Sequence, residues 1–256
     1  MTRRSSAGDL DTGQYTLDAI GKYEAIYGHG FVSPGGRETA LECIAELGLA
    51  RDDRVLDVGC GLGGAAILMA AEHGACVHAI DLSSNMVALA RERVRSAGLA
   101  DRIRIEQLDC LAIDGEARYD AVYSRDVFLH VHDKPRLFAG MHRLATPGAR
   151  VLITDYCCSP PPWSDTFARY VAERGYDLHT VEAYAAMIET AGLEILRAED
   201  RTARFVEIHR AEIARLPAAG LPESSIRELE TGWRAKIERA NAGEHRWGFF
   251  LARRPR

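Results

Sequence analysis

VLDVGCGLGG, from Val55 to Gly64, is the stretch of sequence that decides the fold. Its apolar, β-branched start predicts a buried strand, and its glycines predict a sharp turn before a helix. Because glycine has no Cβ, the backbone of this turn can approach a ligand closely. The spacing differs from the dinucleotide fingerprint G-x-G-x-x-G, since Gly64 follows Gly63 directly. The stretch alone therefore predicts a nucleotide-type site without deciding the cofactor.

Strand-like and helix-like segments alternate from residue 54 onward, which predicts an α/β fold with a mostly parallel sheet and helices on both faces. Ligands of such sheets bind at the carboxyl ends of the strands. The predicted strands are Arg54–Val58, Cys76–Asp81, Ile103–Asp109, Tyr119–Tyr123 and Val151–Asp155, with Glu194–Arg197 and Trp247–Ala252 closing the sheet. The helices predicted between the strands are Gly64–His73, Asn85–Ala97 and Lys134–Leu144.

We expect one domain over residues 1–256 with four parts. Two N-terminal lid helices, Tyr15–Tyr27 and Arg37–Leu47, occupy about 14–48 and are joined by the glycine-rich turn His29–Gly36. A cofactor-binding core follows over about 49–156. A mostly helical, substrate-binding part covers about 157–242, with Asp165–Arg174 and Val181–Ala191 as its clearest helices, and a closing strand covers about 243–253.

Composition and charge exclude several classes of protein. The formal net charge is -5, which argues against a nucleic-acid binder that works by neutralising phosphates, although it allows a local basic pocket for one small anion. The basic first residues are not followed by an apolar segment, so we expect no signal peptide. The longest apolar run, Ala65–Ala71, is too short to span a membrane. The six cysteines form no CxxC pair and are expected to be reduced. We expect a cytoplasmic monomer.

Acidic residues at the ends of three predicted strands indicate the cofactor. Asp57 stands two residues before the first glycine, where its carboxylate would repel a diphosphate but accept hydrogen bonds from the ammonium of a methionine-like group. Asp81 ends the next strand, where an acid hydrogen-bonds ribose hydroxyls. Asp109 ends the third and could accept from an adenine amino group. The pattern favours S-adenosylmethionine over NAD, although acids at strand ends can also simply cap helices.

More specific segments resemble the phosphoethanolamine N-methyltransferases, namely the single-domain protozoan enzymes and the second methyltransferase domain of the plant enzymes. The resemblance runs from about Gln14 to Arg253 and implies the class I S-adenosylmethionine-dependent methyltransferase fold, a seven-stranded sheet with lid helices and a helical insertion. The segments that carry it are VLDVGCGLGG, AIDLSSNM, LDC, YSRDVFLHVHDK, LITDYC, YVAERGYDLHTVEAY, AEDRTARF and GWRAKIERANAGEHRWGFF.

This resemblance implies a role for each of three groups of residues. The pair that closes the active site and supports catalysis is Tyr15 and His130. The residues that contact S-adenosylmethionine or fold over it are Tyr23, Val32, Ser33, Asp57, Gly59, Asp81, Leu82, Asp109, Cys110, Arg125 and Asp126. The residues that bind the substrate phosphate are Tyr156, Tyr170, Arg174, Tyr176 and Lys236. The implied function is N-methylation of phosphoethanolamine and its mono- and dimethyl forms to phosphocholine.

The chemistry of these residue types agrees with the implied roles. A phosphate monoester is a dianion near neutral pH and is matched by an arginine fork, a lysine and hydroxyl donors. An amine must lose its proton before it attacks a methyl group, and histidine has a suitable reference pKa near 6.5. Asp126 can stabilise the ammonium electrostatically. His130 and His132 form an H-x-H pair, but no third ligand at metal-binding spacing is evident, so we expect no metal site.

Other readings stay open at the level of sequence. Individually, Tyr170, Arg174, Tyr176 and Lys236 could each be a surface side chain, and His132 could be a satisfied structural histidine. The proline-rich loop Cys157–Trp163 and Phe128 differ from what we expect of the family and leave the exact acceptor open. The alternatives are a methyltransferase acting on another small molecule (a phosphonate, or a natural-product amine, hydroxyl or thioether) and a non-catalytic S-adenosylmethionine-binding protein.

Overall fold

A seven-stranded sheet lies at the centre of the computed structural model, which describes residues 11–13 and 16–256. The strands are β1 (Arg54–Val58), β2 (Cys76–Asp81), β3 (Ile103–Gln107), β4 (Tyr119–Arg125), β5 (Ala145–Cys158), β6 (Glu194–Asp200) and β7 (His245–Arg253). Their order is β3-β2-β1-β4-β5-β7-β6. Strands β1 to β5 pair in parallel, and β7 runs antiparallel to both β5 and β6. The predicted α/β sheet is confirmed.

The helices alternate with the strands in the core and cluster before and after it. The described α-helices are α1 (Leu17–Tyr27), α2 (Gly36–Leu47), α3 (Gly64–His73), α4 (Ser84–Ser96), α5 (Lys134–Leu144), α6 (Asp165–Arg174), α7 (Val181–Thr190), α8 (Thr202–Arg215) and α9 (Glu223–Asn241). Short 3₁₀ turns span Cys110–Ala112, Phe128–His130 and Leu216–Ala218. Every helix of the described part is too short or too polar to cross a lipid bilayer.

Local capping chemistry explains why several helices begin where the sequence predicted. Asp133 accepts a hydrogen bond from the backbone N–H of Arg136 and so starts α5, and Ser164 does the same for Phe167 at the start of α6. At the other end of α6, Gly175 adopts the left-handed conformation that terminates helices. The bounds of α3, α5 and α6 agree with the sequence prediction at both ends.

Strand β5 is the largest departure from the predicted bounds, since it begins at Ala145 and ends at Cys158 rather than spanning Val151–Asp155. Its extra length follows from its position between two partners: β4 pairs with its first part, and β7 pairs with it from Arg150 to Cys158. Strand β3, in contrast, is shorter than the predicted Ile103–Asp109 and ends at Gln107. Asp109 instead accepts a hydrogen bond from the N–H of Leu111 and starts a 3₁₀ turn.

Two hydrophobic layers, one on each face of the sheet, hold the helices in place. One layer packs side chains of α2, α3 and α4, such as Ile44, Met69 and Val94, beneath the sheet. The other packs Phe138 of α5 and Tyr184 of α7, whose ring stacks on Phe250 of β7 at 4.5 Å between centroids. The sheet presents the carboxyl ends of its parallel strands β1, β2 and β4 at one edge, and α1, α6 and α9 lie close to Asp126, directly after β4.

Candidate active site

A first cavity opens at the carboxyl ends of β1, β2 and β4, where the sequence predicted a cofactor site. Nine of the eleven predicted cofactor-binding residues line it. They are Val32, Ser33, Gly59, Asp81, Leu82, Asp109, Cys110, Arg125 and Asp126.

Two glycines of the first turn are required by close protein contacts. Gly59 has φ +72°, and a Cβ at this position would lie 2.2 Å from a methyl group of Val127. A Cβ on Gly64 would lie 2.4 Å from the carbonyl oxygen of Gly30, which accepts the N–H of Gly64 at 3.2 Å. The sequence explained these glycines by the approach of a ligand. The structure shows that they let the β4 turn and the lid loop, residues 28–35, approach the β1 turn.

Two acids at strand ends are fixed by backbone N–H groups. The carboxylate of Asp81 accepts from the N–H groups of Gly61 and Ser83, both at 2.9 Å, so it faces the glycine turn. Burial raises the pKa of Asp81, while these hydrogen bonds lower it. Asp109 caps the 3₁₀ turn that follows it, which is the structural role that the sequence left open for acids at strand ends. It also lines the cavity. Each oxygen has a second lone pair that remains available to a ligand.

Asp57 and Tyr23 are the two predicted cofactor residues that do not line the first cavity. Asp57 is only 2% exposed, beneath the glycine turn, and its Oδ2 has no hydrogen-bond partner among the described residues. Burial, together with the negative charge of Asp81, raises the pKa of Asp57 to about 7. Tyr23, on the lid helix α1, lines a neighbouring cavity instead.

The lid loop is held over the first cavity by charged side chains, of which Arg125 and Glu212 are buried and Glu24 is partly buried. Arg125, at the end of β4, donates to the carbonyl oxygen of Pro34 at 2.7 Å. Glu212 of α8 accepts from the N–H of Gly35 at 2.7 Å. Glu24 accepts from the N–H of Gly30 at 2.6 Å and from Arg93 of α4 at 2.6 Å. These contacts fix Val32 and Ser33 as one wall of the cavity.

A second cavity adjoins the first beneath α1, α6 and α9, and all five predicted phosphate-site residues line it. The two cavities share four wall residues, which therefore mark the place where two bound molecules would meet. The predicted phosphate-site residues are Tyr156, Tyr170, Arg174, Tyr176 and Lys236, and the shared residues are Val32, Ser33, Asp126 and His130.

Cations and phenol groups are packed together in the second cavity. Lys236 of α9 donates to the hydroxyl of Tyr156 of β5 at 3.0 Å, so residues 80 positions apart in the sequence are in contact. The rings of Tyr170 and Tyr176 lie 5.8 Å apart, edge to face. Burial, with repulsion from Arg174 and Arg239, lowers the pKa of Lys236 to about 8, against the attraction of Glu212 and Asp126. This end of the cavity offers charge and hydroxyl donors to an anion.

His130 stands between the two cavities, on the 3₁₀ turn after β4. Its imidazole ring lies 5.2 Å from the ring of Tyr176, edge to face. Burial, followed by the positive charges of Lys134, Arg174 and His132, lowers the pKa of His130 to about 4. Its imidazole is therefore neutral near pH 7 in the substrate-free protein, with one ring nitrogen able to accept a hydrogen bond. Tyr15, the predicted catalytic partner, lies outside the described residues.

Two further residues belong to this site and were missed by the sequence reasoning. Trp247 of β7 contacts Asp126 by a hydrogen bond, and Arg239 of α9 lines the second cavity. Trp247 was predicted only as part of a strand. Arg239 lies three positions after Lys236, on the same side of a helix, and that spacing was the signal available in the sequence.

Comparisons with known proteins place the chain in a class. Residues 55–148 match the family model described as a methyltransferase domain. The fold matches phosphoethanolamine N-methyltransferase 2 of Haemonchus contortus, solved in complex with phosphomonomethylethanolamine and S-adenosylhomocysteine. The TM-score is 0.92 at 34% identity, over 98% of this chain and 61% of that chain. The fold is thus that of the class I S-adenosylmethionine-dependent methyltransferases.

Curated relatives identify the family within this class. Phosphoethanolamine N-methyltransferase 1 of Zea mays is 42% identical over 95% of this chain and 50% of its own length, and the enzyme of Plasmodium falciparum is 32% identical over 95% of this chain and 94% of its own length. The chain belongs to the phosphoethanolamine N-methyltransferase family, so the family resemblance is confirmed. It spans about half the length of the curated plant relatives that it matches.

Proposed function

We propose that this chain transfers methyl groups from S-adenosylmethionine to the nitrogen of phosphoethanolamine and its mono- and dimethyl forms, giving phosphocholine. One observation carries the proposal: a cavity at the strand ends and a second, cation-lined cavity share His130 and Asp126. The Haemonchus relative, which binds phosphomonomethylethanolamine and S-adenosylhomocysteine together, supports this choice of ligands.

The first cavity fits the cofactor chemically. Asp81 and Asp109 offer carboxylate oxygens of the kind that accept hydrogen bonds from ribose and from an adenine amino group, and apolar side chains such as Leu82 and Met86 line the same walls. The buried, unpartnered oxygen of Asp57 lies below the glycine turn. When bound, S-adenosylmethionine supplies an activated methyl group on a sulfonium.

The residues of the second cavity would bind and orient the acceptor. The cation-rich end suits the phosphate dianion, which leaves the amine directed at the shared wall. The neutral imidazole of His130 can accept the proton that the amine must lose before attack. The carboxylate of Asp126 can stabilise the positive charge that develops on the nitrogen. Because the residues that bind the phosphate are remote from the nitrogen, the same contacts would hold the mono- and dimethyl forms for the next methylation.

We also propose that residues 1–256 work as one methyltransferase domain, because lid, core and helical part all contribute walls to the two cavities. Tyr15 keeps its proposed role beside His130. That the chain acts as a monomer in the cytoplasm, without nucleic acid, stays a prediction of the sequence.

The test is product analysis by mass spectrometry after incubation with S-adenosylmethionine and one acceptor at a time. We expect methylated products from phosphoethanolamine and none from ethanolamine, which lacks the phosphate. No methylated product from phosphoethanolamine or its methylated forms at saturating cofactor would refute the proposal. Equal methylation of ethanolamine would show that the second cavity does not select phosphate.

A further inference from the structure

Three cations line the second cavity without a carboxylate partner among the described residues. Arg174 comes from the end of α6, and Lys236 and Arg239 come from one side of α9. In the described part of the chain, none of the three forms an ion pair, whereas about half of the other described arginines do, Arg37, Arg197 and Arg234 among them. Of the two carboxylates that line the same cavity, Glu228 is paired with Lys22 at 3.1 Å.

The surroundings of Arg239 leave its guanidinium ready for a ligand. Its Cζ lies 3.8 Å from the centre of the Tyr170 ring, so the guanidinium lies over the ring face. It also hydrogen-bonds Tyr170, and the five N–H donors of a guanidinium leave others for a further partner. Its Nε is buried and has no hydrogen-bond partner in the described structure. A buried donor without a partner is costly and calls for an explanation, of which a bound ion is one.

The crowding of like charge indicates what that ligand is. Arg174 and Arg239 both repel the ammonium of Lys236 and contribute to lowering its pKa. A single negative charge would leave this repulsion mostly uncompensated, whereas a phosphate dianion offers two charges and three terminal oxygens. An arginine can bind two of those oxygens in a parallel, bidentate arrangement. Three cations from two facing helices therefore fit a monoester dianion better than a carboxylate.

We propose that Arg239 is a phosphate-binding residue of this site and sets its selectivity for a dianionic phosphate. This inference rests on the proposed function for its acceptor, but phosphate binding itself can be measured without turnover. Tyr170 would act with Arg239 as a unit, since its ring holds the guanidinium plane in place. Arg174 would approach the same phosphate from the opposite helix.

The experiment measures binding of inorganic phosphate by isothermal titration to the full chain saturated with S-adenosylhomocysteine, together with KM and kcat for phosphoethanolamine. Arg239→Met removes the charge, and Arg239→Lys keeps the charge but loses the planar fork. We expect R239M to weaken phosphate binding by about tenfold or more and R239K by a smaller factor. KM should rise in parallel, while affinity for S-adenosylhomocysteine stays unchanged.

Arg234→Met is the matched control, because Arg234 is an exposed arginine of the same helix that pairs with Glu230 outside the cavity. R234M should bind phosphate as the wild type does. Wild-type phosphate affinity in both R239M and R239K would overturn the inference and leave Arg239 as a support for Tyr170 alone. No phosphate binding by the wild type would overturn it as well. Loss of phosphate binding in R239M, with no turnover of phosphoethanolamine by the wild type, would support Arg239 and refute only the proposed acceptor.

Discussion

Trp247 donates its indole N–H to Oδ1 of Asp126 over 2.8 Å, and this bond joins the last strand to the point where the two cavities meet. Thr154 of β5 donates to the same oxygen at 3.1 Å and accepts the backbone N–H of Asp126 at 2.7 Å. Asp126 is held at φ 56°, a conformation that non-glycine residues rarely adopt. Its other oxygen, Oδ2, is buried without a partner among the described residues. One carboxylate oxygen is thus fixed by the protein, and the second is left for a cationic ligand.

Replacing Trp247 with phenylalanine should slow methyl transfer more than it weakens substrate binding. The change removes the hydrogen bond from the indole to the carboxylate of Asp126. A hydrogen bond to a charged group is worth about 1.5–3 kcal/mol, and this carboxylate would stabilise the charge that develops on the nitrogen. We expect kcat to fall by about 10- to 100-fold, with a smaller change in KM because the phosphate end is untouched. Steady-state kinetics with phosphoethanolamine measure both constants.

Trp163→Phe provides the control for the Trp247 variant. Trp163 also loses an indole hydrogen bond in this change, to the carbonyl of Ser159 at 2.8 Å. Ser159 lines neither cavity, whereas Asp126, the partner of Trp247, lines both. W163F should keep the wild-type kcat. An unchanged kcat in a folded W247F would show that Asp126 does not depend on the indole for its orientation.

His130 should remain neutral in the substrate-free protein until the pH approaches about 4. A histidine whose folded-state pKa lies below its unfolded value of about 6.5 stabilises the fold above pH 6.5, and that contribution is lost as the pH falls. We therefore expect the His130 imidazole signal, assigned by comparison with His130→Gln, to show no titration in NMR spectra between pH 8 and 5. A midpoint near 6.5 would contradict this environment. H130Q should also lower kcat by about 100-fold or more, since it cannot accept a proton, with little change in affinity for S-adenosylhomocysteine.

The ammonium of Lys236 should make phosphate binding pH-dependent in the alkaline range. Its pKa of about 8 means that the lysine loses its charge as the pH rises through this value. Because inorganic phosphate is almost wholly a dianion above about pH 8, phosphate affinity of the wild type should fall between about pH 8 and 9.5, at constant ionic strength. Lys236→Arg remains charged throughout, so its affinity should vary much less over the same range. Parallel pH profiles for the two proteins would exclude Lys236 as the titrating group.

Periodicity and capping residues predicted most of the fold from sequence, but contacts between distant segments were not predictable. Asp133 and Ser164 mark helix starts locally, so the bounds of α5 and α6 were correct. The length of β5 depends on its pairing with β7, about 95 residues further along the chain, and no local pattern encodes that pairing. The explanation of Gly59 was incomplete for the same reason, since Val127, which packs over it, belongs to another strand end.

The candidate site shows the same division between local and distant information. Acids at strand ends were found because a parallel sheet brings its carboxyl ends together, whereas the role of His130 came from the family resemblance. The contact of Tyr156 with Lys236 came from the family resemblance alone, and the structure places the two in hydrogen-bonding distance. Trp247 looked like an ordinary core residue, because its apolar neighbours predict a strand and its partner Asp126 is 121 positions away.

Lys134 offers a last prediction, because it links the His130 turn to the loop that carries Tyr176. Its side chain is buried, and its ammonium donates to the carbonyl oxygens of Phe128 and Val131 and to both the carbonyl and the carboxylate of Asp177, at 2.7–3.1 Å. Although burial alone would raise the pKa of Asp177, hydrogen bonds from His179 and Lys134 lower it to about 2. Lys134, the last residue of the sequence motif HDK, thus positions the turn that carries His130.

Replacing Lys134 with methionine should lower the free energy of unfolding by about 3 kcal/mol at pH 7, as expected when one partner of a buried ion pair is removed. The difference should shrink as the pH falls toward 2, because protonation of Asp177 removes its ion pair in the wild type too. Urea unfolding at several pH values measures this. Arg136→Met, an exposed change on the same helix, should alter stability by less than about 1 kcal/mol. If K134M is as stable as R136M at neutral pH, the buried ammonium does not hold the His130 turn.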